Sequence, residues 1–309
     1  MTTPVSIVVP CYNSDGSLAL LVQRLEDVFH QEGREFEIIL VEDGSQDSTW
    51  SVIQRLARSR SNIRGFKMLR NYGQHNALLC GIRNARFDVL VTMDDDLQNR
   101  PEDVPRLLAK LEEGYDVVYG IPKKQEHGLL RNLASTLTKV TLQGVMGAET
   151  ARNVSAFRAL RASLRPAFAD YRSPLVSIDV LLTWGTRRFA MLPTNNDPRT
   201  IGKSNYTIGK LFVHAMNMMT GFSTLPLRFA SFIGFALAFF GVGVLAWVLG
   251  RYFLQGSSVQ GFPFLASIIA IFGGAQLCTL GIIGEYLARI HLRTMERPCY
   301  TVDQTTGQD

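Results

Sequence analysis

Apolar and polar positions follow two different periods along residues 1 to about 120. Short runs rich in β-branched residues, such as VSIVVP at 5–10 and FEIILVED at 36–43, predict buried strands. Between them, apolar residues recur every three or four positions, as in SLALLVQRLEDVFHQ at 17–31, which predicts amphipathic helices. The same patterns predict further strands at 63–69, 88–94 and 116–120, and helices at 47–59, 74–85 and 101–114. Strands alternating with helices predict an α/β fold, a mostly parallel sheet with helices on both faces.

Two uncharged runs lie near the end of the chain, at 229–250 and 261–284, and each exceeds the roughly 20 residues that cross a bilayer as a helix. The short polar segment RYFLQGSSVQ separates them, so they predict a two-helix transmembrane hairpin. A pair of buried core helices is the alternative. Basic residues flank the hairpin, whereas its loop holds one arginine: Lys210, Arg228, Arg289, Arg293 and Arg297 outside, Arg251 in the loop. This bias predicts a multi-pass protein of the cytoplasmic (inner) membrane, with the catalytic region and both termini in the cytoplasm.

Composition and cysteine spacing narrow the classes of function. The formal net charge is only +5 over 309 residues, so we expect no nucleic-acid partner. The start MTTPVSIVVP lacks the basic and long apolar regions of a signal peptide. The four cysteines have no paired spacing, which indicates reduced thiols rather than disulfides or a zinc site.

Polar residues collect at the predicted carboxyl ends of the strands, the edge at which parallel sheets bind ligands. The fourth strand ends in Asp94, Asp95 and Asp96, and carboxylate oxygens suit Mg²⁺ or Mn²⁺. Asp94 and Asp96, two apart in an extended segment, would project to one side, Gln98 repeats that spacing, and Asp95 would point away. The alternative is a helix N-terminus, which Pro101 suits. A Rossmann dinucleotide site is disfavoured, because no G-x-G-x-x-G follows the first strand.

Four segments carry a resemblance to a known family: SIVVPCYN, LVEDGSQDST, RNYGQHNAL and DDDLQNRPED. In this order they resemble the family 2 inverting glycosyltransferases, which have the GT-A nucleotide-diphospho-sugar transferase fold. The hairpin followed by GIIGEYLARIHLRTMERPCY is similar to the membrane-anchored polyprenyl-phosphate glycosyltransferases, a group that includes dolichyl-phosphate mannose synthases and undecaprenyl-phosphate aminoarabinose and glucose transferases. The resemblance is strong over 5–125, moderate over 195–300 and weak over 126–194.

The chain accordingly divides into four predicted regions. A cytoplasmic GT-A catalytic domain spans 1–206, and an amphipathic helix in the membrane interface spans 207–226, with a core helix as the alternative. The two transmembrane helices lie within 227–290, and a cytoplasmic tail at 291–309 is expected to fray at its end.

The resemblance implies roles for residues at the matching positions. Those around the nucleotide are Pro10, Tyr12, Glu42, Asp43, Arg70 and Asp95. Asp43 could accept a hydrogen bond from uracil N3–H, whereas a surface ion pair is the alternative for Arg70, and His75 is interpreted as structural. The implied metal ligands for Mn²⁺ or Mg²⁺ are Asp94, Asp96 and Gln98, and Asp96 is also taken as catalytic. The cation would bridge the donor diphosphate and offset charge on the leaving nucleotide.

A second motif, in NDPRTIGKSNYTIGKL, resembles the family's flexible loop R-x-x-G-x-S-K-Y. The resemblance implies that this loop clamps the donor diphosphate through Arg199, Lys203, Ser204 and Tyr206. Asn205 stands where lysine is usual, so the cation that contacts phosphate is open. A basic loop that faces anionic lipid is the alternative.

The general base is the point at which the chain departs from its relatives. Many of them carry an aspartate six positions before the arginine that matches Arg158, and here that position is Arg152, whose guanidinium cannot accept a proton. One interpretation gives the base to Asp179, with Glu149 behind it. The other needs no base, because a lipid phosphate with a second pKa of about 6 is already ionised, and Arg152 binds it.

The function expected from these observations is the inverting transfer of a sugar from a nucleotide-sugar, a UDP-sugar, to a polyprenyl phosphate of the undecaprenyl, decaprenyl or dolichyl type. The enzyme would be a metal-dependent hexosyl- or aminosugar transferase at the cytoplasmic leaflet. One alternative is an elongating polysaccharide or glycolipid glycosyltransferase, which the absence of Q-x-x-R-W weakens. A catalytically inactive membrane scaffold is another, and Arg152 and Asn205 keep it open. A homo-oligomer is compatible with the hairpin class.

Overall fold

A computed structural model describes residues 2–122, 154–197, 224–255 and 262–307 of the chain. The chain divides into two units. The first comprises Met1–Leu211 together with Glu296–Asp309, and the second comprises Phe212–Met295. The tail after the second unit therefore belongs to the first.

The first unit is built on one eight-stranded sheet. Its strands are β1 Val5–Cys11, β2 Phe36–Glu42, β3 Ile63–Met68, β4 Val89–Thr92, β5 Val117–Pro122, β6 Arg158–Arg161, β7 Phe189–Thr194 and β8 Val302–Thr306. Across the sheet the order is β7-β5-β6-β4-β1-β2-β3-β8. The pairs β1–β2, β1–β4, β2–β3 and β5–β7 are parallel, whereas β6 and β8 run antiparallel to their neighbours. The predicted mostly parallel sheet is confirmed.

Helices cover both faces of this sheet, as the pattern predicted. They are α1 Leu18–Glu32, α2 Thr49–Ser59, α3 Gln74–Asn84, α4 Val104–Glu112 and α5 Ile178–Gly185, with short 3-10 helices at Pro101–Asp103 and Ala162–Phe168. Successive side chains of a strand point to opposite faces. Ile7 of β1 accordingly packs in one cluster with Leu25 of α1, and Val8 packs in the other with Leu79 of α3 and Leu181 of α5. Each face thus has its own apolar core.

The strand register brings three turns to one edge. Cys11, the last residue of β1, lies opposite Glu42, the last residue of β2. Val8 of β1 lies opposite Thr92, the last residue of β4. The segments that follow β1, β2 and β4 therefore leave the sheet at the same edge.

Two features of the sheet differ from the expectation. The strand β6 is inserted between β4 and β5 and runs against both, so β5 does not pair with β4. The tail also contains a strand that the sequence pattern did not predict, since β8 pairs antiparallel with β3 over Gly65–Met68. The indole N–H of Trp50 donates to Gln304 Oε1 at 2.9 Å, and Cys299 is buried in the core, so the tail is held by side chains as well.

The second unit consists of two long helices in its described part, α6 Leu225–Gln255 and α7 Phe262–Thr294. Segments of both, Leu225–Arg251 and Ile271–Thr294, are long and apolar enough to cross a membrane, and none of either segment's most apolar stretch is buried within the molecule. Core helices bury their apolar side chains. This exposure argues against the alternative of two buried core helices. Most of the predicted interfacial helix at 207–226 lies outside the described residues.

Candidate active site

A cavity of about 300 Å³ opens at the edge where β1, β2 and β4 end. It is lined by residues of four segments: Pro10, Cys11, Tyr12, Asp43, Asn71, Gly73, Gln74, Asp94, Asp95 and Asp96. Six of the residues predicted to form the nucleotide and metal sites thus lie together. Four others, Glu42, Arg70, Gln98 and Asp179, are not among the residues that line it.

The segment with the three aspartates is bent rather than extended. Strand β4 already ends at Thr92, and Leu97 has a φ of 61°, in the left-handed region that a side chain disfavours. Leu97 is buried in the apolar core, which holds this backbone conformation in place. The N–H of Gln98 donates to Asp96 Oδ1 at 3.1 Å across the bend. The spacing argument based on an extended strand was therefore wrong, although Asp94 and Asp96 both line the cavity.

The carboxylates of Asp94 and Asp96 fit a divalent cation whose remaining ligands come from a substrate and from water. Among the residues that the structure describes, no three His, Cys, Asp or Glu side chains form a complete metal site. Mg²⁺ is commonly bound by one or two carboxylates together with waters and substrate phosphates, so Asp94 and Asp96 match that incomplete set. Asp94 is oriented by Gln74, whose amide donates to its Oδ1 at 2.6 Å. Gln74 is a site residue that the sequence reasoning missed, although it belongs to the quoted segment RNYGQHNAL.

Asp95 faces the turn after β1. Its Oδ2 accepts the backbone N–H of Tyr12 at 3.2 Å and a short hydrogen bond from the Ser14 hydroxyl. Burial raises the pKa of the Asp95 carboxyl above its ordinary value. Asp95 nevertheless lines the same cavity as Asp94 and Asp96. Ser14 was not singled out as a site residue, because an 81-residue separation hides this contact in the sequence.

Tyr12 lines the cavity and is 43% exposed. The next residue, Asn13, has a φ of 53°, a left-handed conformation that asparagine tolerates better than most side chains. Its N–H donates to Ser45 Oγ at 3.1 Å, and its Oδ1 accepts the N–H of Gln46 at 2.9 Å. Asparagine at this position thus joins the turn after β1 to the turn after β2.

Asp43 binds the backbone directly before the start of α3. Its two oxygens accept the backbone N–H groups of Tyr72 at 2.6 Å and Gly73 at 2.8 Å. Burial, followed by the nearby Glu42 charge, raises the pKa of Asp43 to about 6. These two bonds occupy part of the acceptor capacity that was expected to serve a uracil ring.

Glu42 is almost completely buried and holds its own turn. Its Oε1 accepts a short hydrogen bond from the Ser45 N–H, and its buried Oε2 has no hydrogen-bond partner among the described residues. Arg70 is exposed and stacks over the Tyr72 ring with 4.5 Å between its guanidinium carbon and the ring centroid. The imidazole of His75 accepts the N–H of Ile178 at 3.4 Å, in keeping with a structural histidine.

Asp179 lies in a buried ion pair. Its Oδ1 accepts a short hydrogen bond from Arg158, whose side chain is 1% exposed, and the Tyr119 hydroxyl donates to the same oxygen at 3.1 Å. Arg158 Nε also donates to Thr92 Oγ1 at 3.1 Å. This carboxylate is already committed to a buried guanidinium, which argues for a structural role of Asp179 and against its use as a general base.

The remaining predicted residues lie outside the described part of the chain: Arg152, Glu149, Arg199, Lys203, Ser204 and Tyr206. The segment just before the predicted phosphate loop is described, and it is attached to the metal segment. The N–H of Asp197 donates to the Gln98 carbonyl at 2.9 Å, and Arg100 forms a short ion pair with the Asp197 carboxylate.

Comparisons with known proteins match this geometry. A family model described as Glycosyl transferase family 2 matches residues 6–165, which include every residue that lines the cavity. The undecaprenyl-phosphate 4-deoxy-4-formamido-L-arabinose transferase of Shewanella sediminis (strain HAW-EB3) is 34% identical over 301 residues, which cover 96% of this chain and 91% of that protein.

Solved structures share the fold of the first unit. Glucosyl-3-phosphoglycerate synthase from Mycobacterium tuberculosis, in complex with Mn²⁺, UDP and phosphoglyceric acid, has a TM-score of 0.53 at 16% identity, covering 71% of this chain and 76% of that one. Mannosyl-3-phosphoglycerate synthase from Rubrobacter xylanophilus has a TM-score of 0.52 at 16% identity, covering 69% and 72%. At such identities the likeness extends to the fold alone.

Proposed function

Because the chain belongs to the family 2 glycosyltransferases, we propose that it transfers a sugar from a UDP-sugar to a polyprenyl phosphate. The family assignment rests on the match over residues 6–165 and on the 34% identity to a relative along nearly the whole of both chains. The expected GT-A fold is confirmed by the shared fold of the solved structures.

The observation that carries the proposal is the convergence of three turns on one cavity. Tyr12 supplies an aromatic wall, and Asp43 orients the start of α3 at the nucleoside side. Asp94 and Asp96 supply carboxylates at the diphosphate side. The acceptor class follows from the relative that acts on undecaprenyl phosphate, and the donor class is supported by the structure of the same fold solved with UDP and Mn²⁺.

A divalent cation, Mn²⁺ or Mg²⁺, would be held by Asp94 and Asp96, with Gln98 close to them in the bend. When bound, it would neutralise charge on the departing diphosphate. Gln74 orients Asp94 through its side-chain amide, and Leu97 holds the bend from the core side. The predicted phosphate contacts of Arg199, Lys203, Ser204 and Tyr206 complete the donor site in this proposal.

The reaction requires no proton acceptor if the nucleophile is a phosphate. A phosphate oxygen of the acceptor forms the new bond to the anomeric carbon, and the bond from that carbon to the diphosphate breaks, so UDP departs with the bonding electron pair. The second pKa of a phosphate monoester is about 6, so the nucleophile is already ionised near neutral pH. The burial of Asp179 against Arg158 supports this version over a base at Asp179. Arg152 would then bind the acceptor phosphate and orient it.

The lipid acceptor agrees with the two apolar helices of the second unit. Their exposed apolar surfaces suit lipid, and we propose a transmembrane hairpin with the first unit on the cytoplasmic side. The basic flanks outside the hairpin support this orientation.

The experiment is a transfer assay with detergent-purified full-length protein. Undecaprenyl phosphate is the acceptor, and radiolabelled UDP-sugars and GDP-mannose are offered as donors, with Mn²⁺ or with a chelator. Asp96→Ala is the test variant. Asp88→Ala is the matched control, because Asp88 is an exposed aspartate just before the opposite end of the same strand.

We expect a chloroform-soluble product that requires the metal, survives in Asp88→Ala and is lost in Asp96→Ala. Binding of UDP without any product would refute the polyprenyl phosphate acceptor. Absence of both UDP binding and product would refute the donor site and leave an inactive membrane scaffold as the better explanation.

A further inference from the structure

Asp95 is held differently from Asp94 beside it. Asp94 receives the amide of Gln74, from the start of α3. Asp95 turns to the opposite wall of the cavity, where its Oδ2 accepts the N–H of Tyr12 at 3.2 Å and the Ser14 hydroxyl in a short hydrogen bond. One carboxylate thus joins the metal segment directly to the backbone of the turn that carries Tyr12.

The same turn is attached to the β2–α2 segment on its other side. Asn13 exchanges hydrogen bonds with Ser45 and Gln46, and the N–H of Ser14 donates to Thr49 Oγ1 at 2.8 Å. Asn13 is in a left-handed conformation, which such flanking bonds must hold. The turn is therefore fixed between two anchors, and Asp95 is the anchor on the side of the metal segment.

We propose that Asp95 is a positioning residue that couples cation binding at Asp94 and Asp96 to nucleoside binding at Tyr12. A cation held by the residues on both sides of Asp95 restricts its backbone, and the two hydrogen bonds transmit that restriction to Tyr12 and Ser14. The coupling rests on the proposed function, because it assumes a nucleoside at Tyr12 and a metal at the aspartates. This coupling would strengthen nucleotide binding in the presence of the cation, in addition to the direct bridge between the metal and the diphosphate.

Uridine separates the two contributions, because it carries no phosphate for a metal to bridge. Its affinity is measured by ligand-observed NMR on the detergent-purified full chain, with and without Mg²⁺, and UDP is measured in parallel. We expect Mg²⁺ to strengthen uridine binding about tenfold, a typical size for coupling between two sites. In Asp95→Ala this gain disappears, whereas UDP keeps the part of its metal dependence that comes from bridging.

Three control variants test whether the hydrogen bonds of Asp95 carry the coupling. Asp95→Asn keeps an oxygen that can accept both donors, so it restores most of the gain. Ser14→Ala loses only part of the gain, because Asp95 keeps its bond to the Tyr12 N–H, and the double variant loses no more than Asp95→Ala alone. Ser17→Ala removes a buried hydroxyl from the same turn that donates to the Ser14 carbonyl and not to Asp95, so it keeps the gain.

Hydrogen exchange at residues 11–16 supplies a readout without any ligand. The Tyr12 amide donates to Asp95 and also to the Ser14 hydroxyl oxygen, which Asp95 holds in place, so this segment exchanges faster in Asp95→Ala and near the original rate in Asp95→Asn. Uridine affinity that ignores Mg²⁺ in the unaltered protein, or an unchanged gain in Asp95→Ala, would overturn the coupling. If the unaltered protein binds neither UDP nor uridine, the proposed function falls, and unchanged exchange in Asp95→Ala would then overturn the anchor as well.

Discussion

Replacing Asp179 separates a structural carboxylate from a general base. In the structure, its partner Arg158 has a side chain that is only 1% exposed, and Asp179 itself is buried. Removing one partner of a buried ion pair leaves the other charge uncompensated and destabilises a protein by about 3–5 kcal/mol. In Asp179→Asn the amide oxygen can still accept a hydrogen bond, and Arg158 keeps its bond to Thr92, so we expect about 3 kcal/mol.

The assay is a thermal melt of the detergent-purified protein followed by far-ultraviolet circular dichroism. For a domain of this size, 1 kcal/mol shifts the Tm by about 2–4 °C, so Asp179→Asn should melt about 6–12 °C lower. Asp116→Asn is the matched control, because Asp116 is equally buried but the side chains of its partners Arg188 and Arg161 are 68% and 36% exposed. Water can solvate the released Arg188 charge, so the loss there should be about 1 kcal/mol. Arg158→Met with Asp179→Leu should recover most of the stability.

The pH–rate profile tests the other role, in which Asp179 is the general base. A general base contributes about 10²–10⁴ in rate, and its removal deletes an ionisation from the profile. We expect Asp179→Asn, measured below its lowered Tm, to keep the ionisations of the unaltered protein. An unchanged Tm together with a collapsed rate and a missing ionisation would refute the structural role and return Asp179 to the position of catalytic base.

Three further predictions concern the cavity and the edge of the sheet. The folded-state pKa of Asp43, about 6, exceeds its ordinary value of 3.8, so the folded state binds this proton more tightly. Urea titrations should therefore show stability falling from about pH 4 to about pH 6 and level above, with a shallower fall in Asp43→Asn. Gly44 has a φ of 69°, and an added Cβ would lie 2.4 Å from the Asn71 nitrogen. Gly44→Ala should therefore weaken UDP binding by calorimetry, whereas Gly33→Ala, which is equally left-handed but meets nothing within 4 Å, should lose only stability, about 1 kcal/mol. Ending the chain at Thr301 removes β8 and with it Gln304, whose side chain accepts the Trp50 indole N–H. Tryptophan emission should therefore shift to the red, and the Tm should fall.

The alternation of strands and helices made most of the first unit predictable. Strands β1 to β5 and helices α1 to α4 all arise from local periodicity, which the sequence carries directly. The insertion of β6 between β4 and β5 was not predictable, because it depends on pairing between segments that are distant in the sequence. The pairing of VDQTT with β3 was not predictable from its polar residues, because an edge strand is held mainly by backbone partners on the neighbouring strand.

The candidate site shows the same division. The residue types at the strand ends were readable, because parallel strands bring their carboxyl ends to one edge. The roles of the individual aspartates could be predicted only in part. The bend at Leu97 depends on core packing that forces a non-glycine residue into the left-handed region. The Asp95–Ser14 and Asp179–Arg158 bonds depend on tertiary contacts, so an aspartate proposed as a base turned out to be buried in an ion pair.

Two described segments of the first unit, which flank the apolar helices in the sequence, are bonded to residues close in sequence to those that line the cavity. Asp197, the last described residue before those helices, is bonded to the Gln98 carbonyl and to Arg100, directly after the metal segment. After the helices, the Thr301 carbonyl accepts the N–H of Leu69 at 3.0 Å, two residues before Asn71 of the cavity. The hydrogen bonds of Asp197 and Thr301 therefore hold both of these segments close to the cavity-lining residues of the first unit.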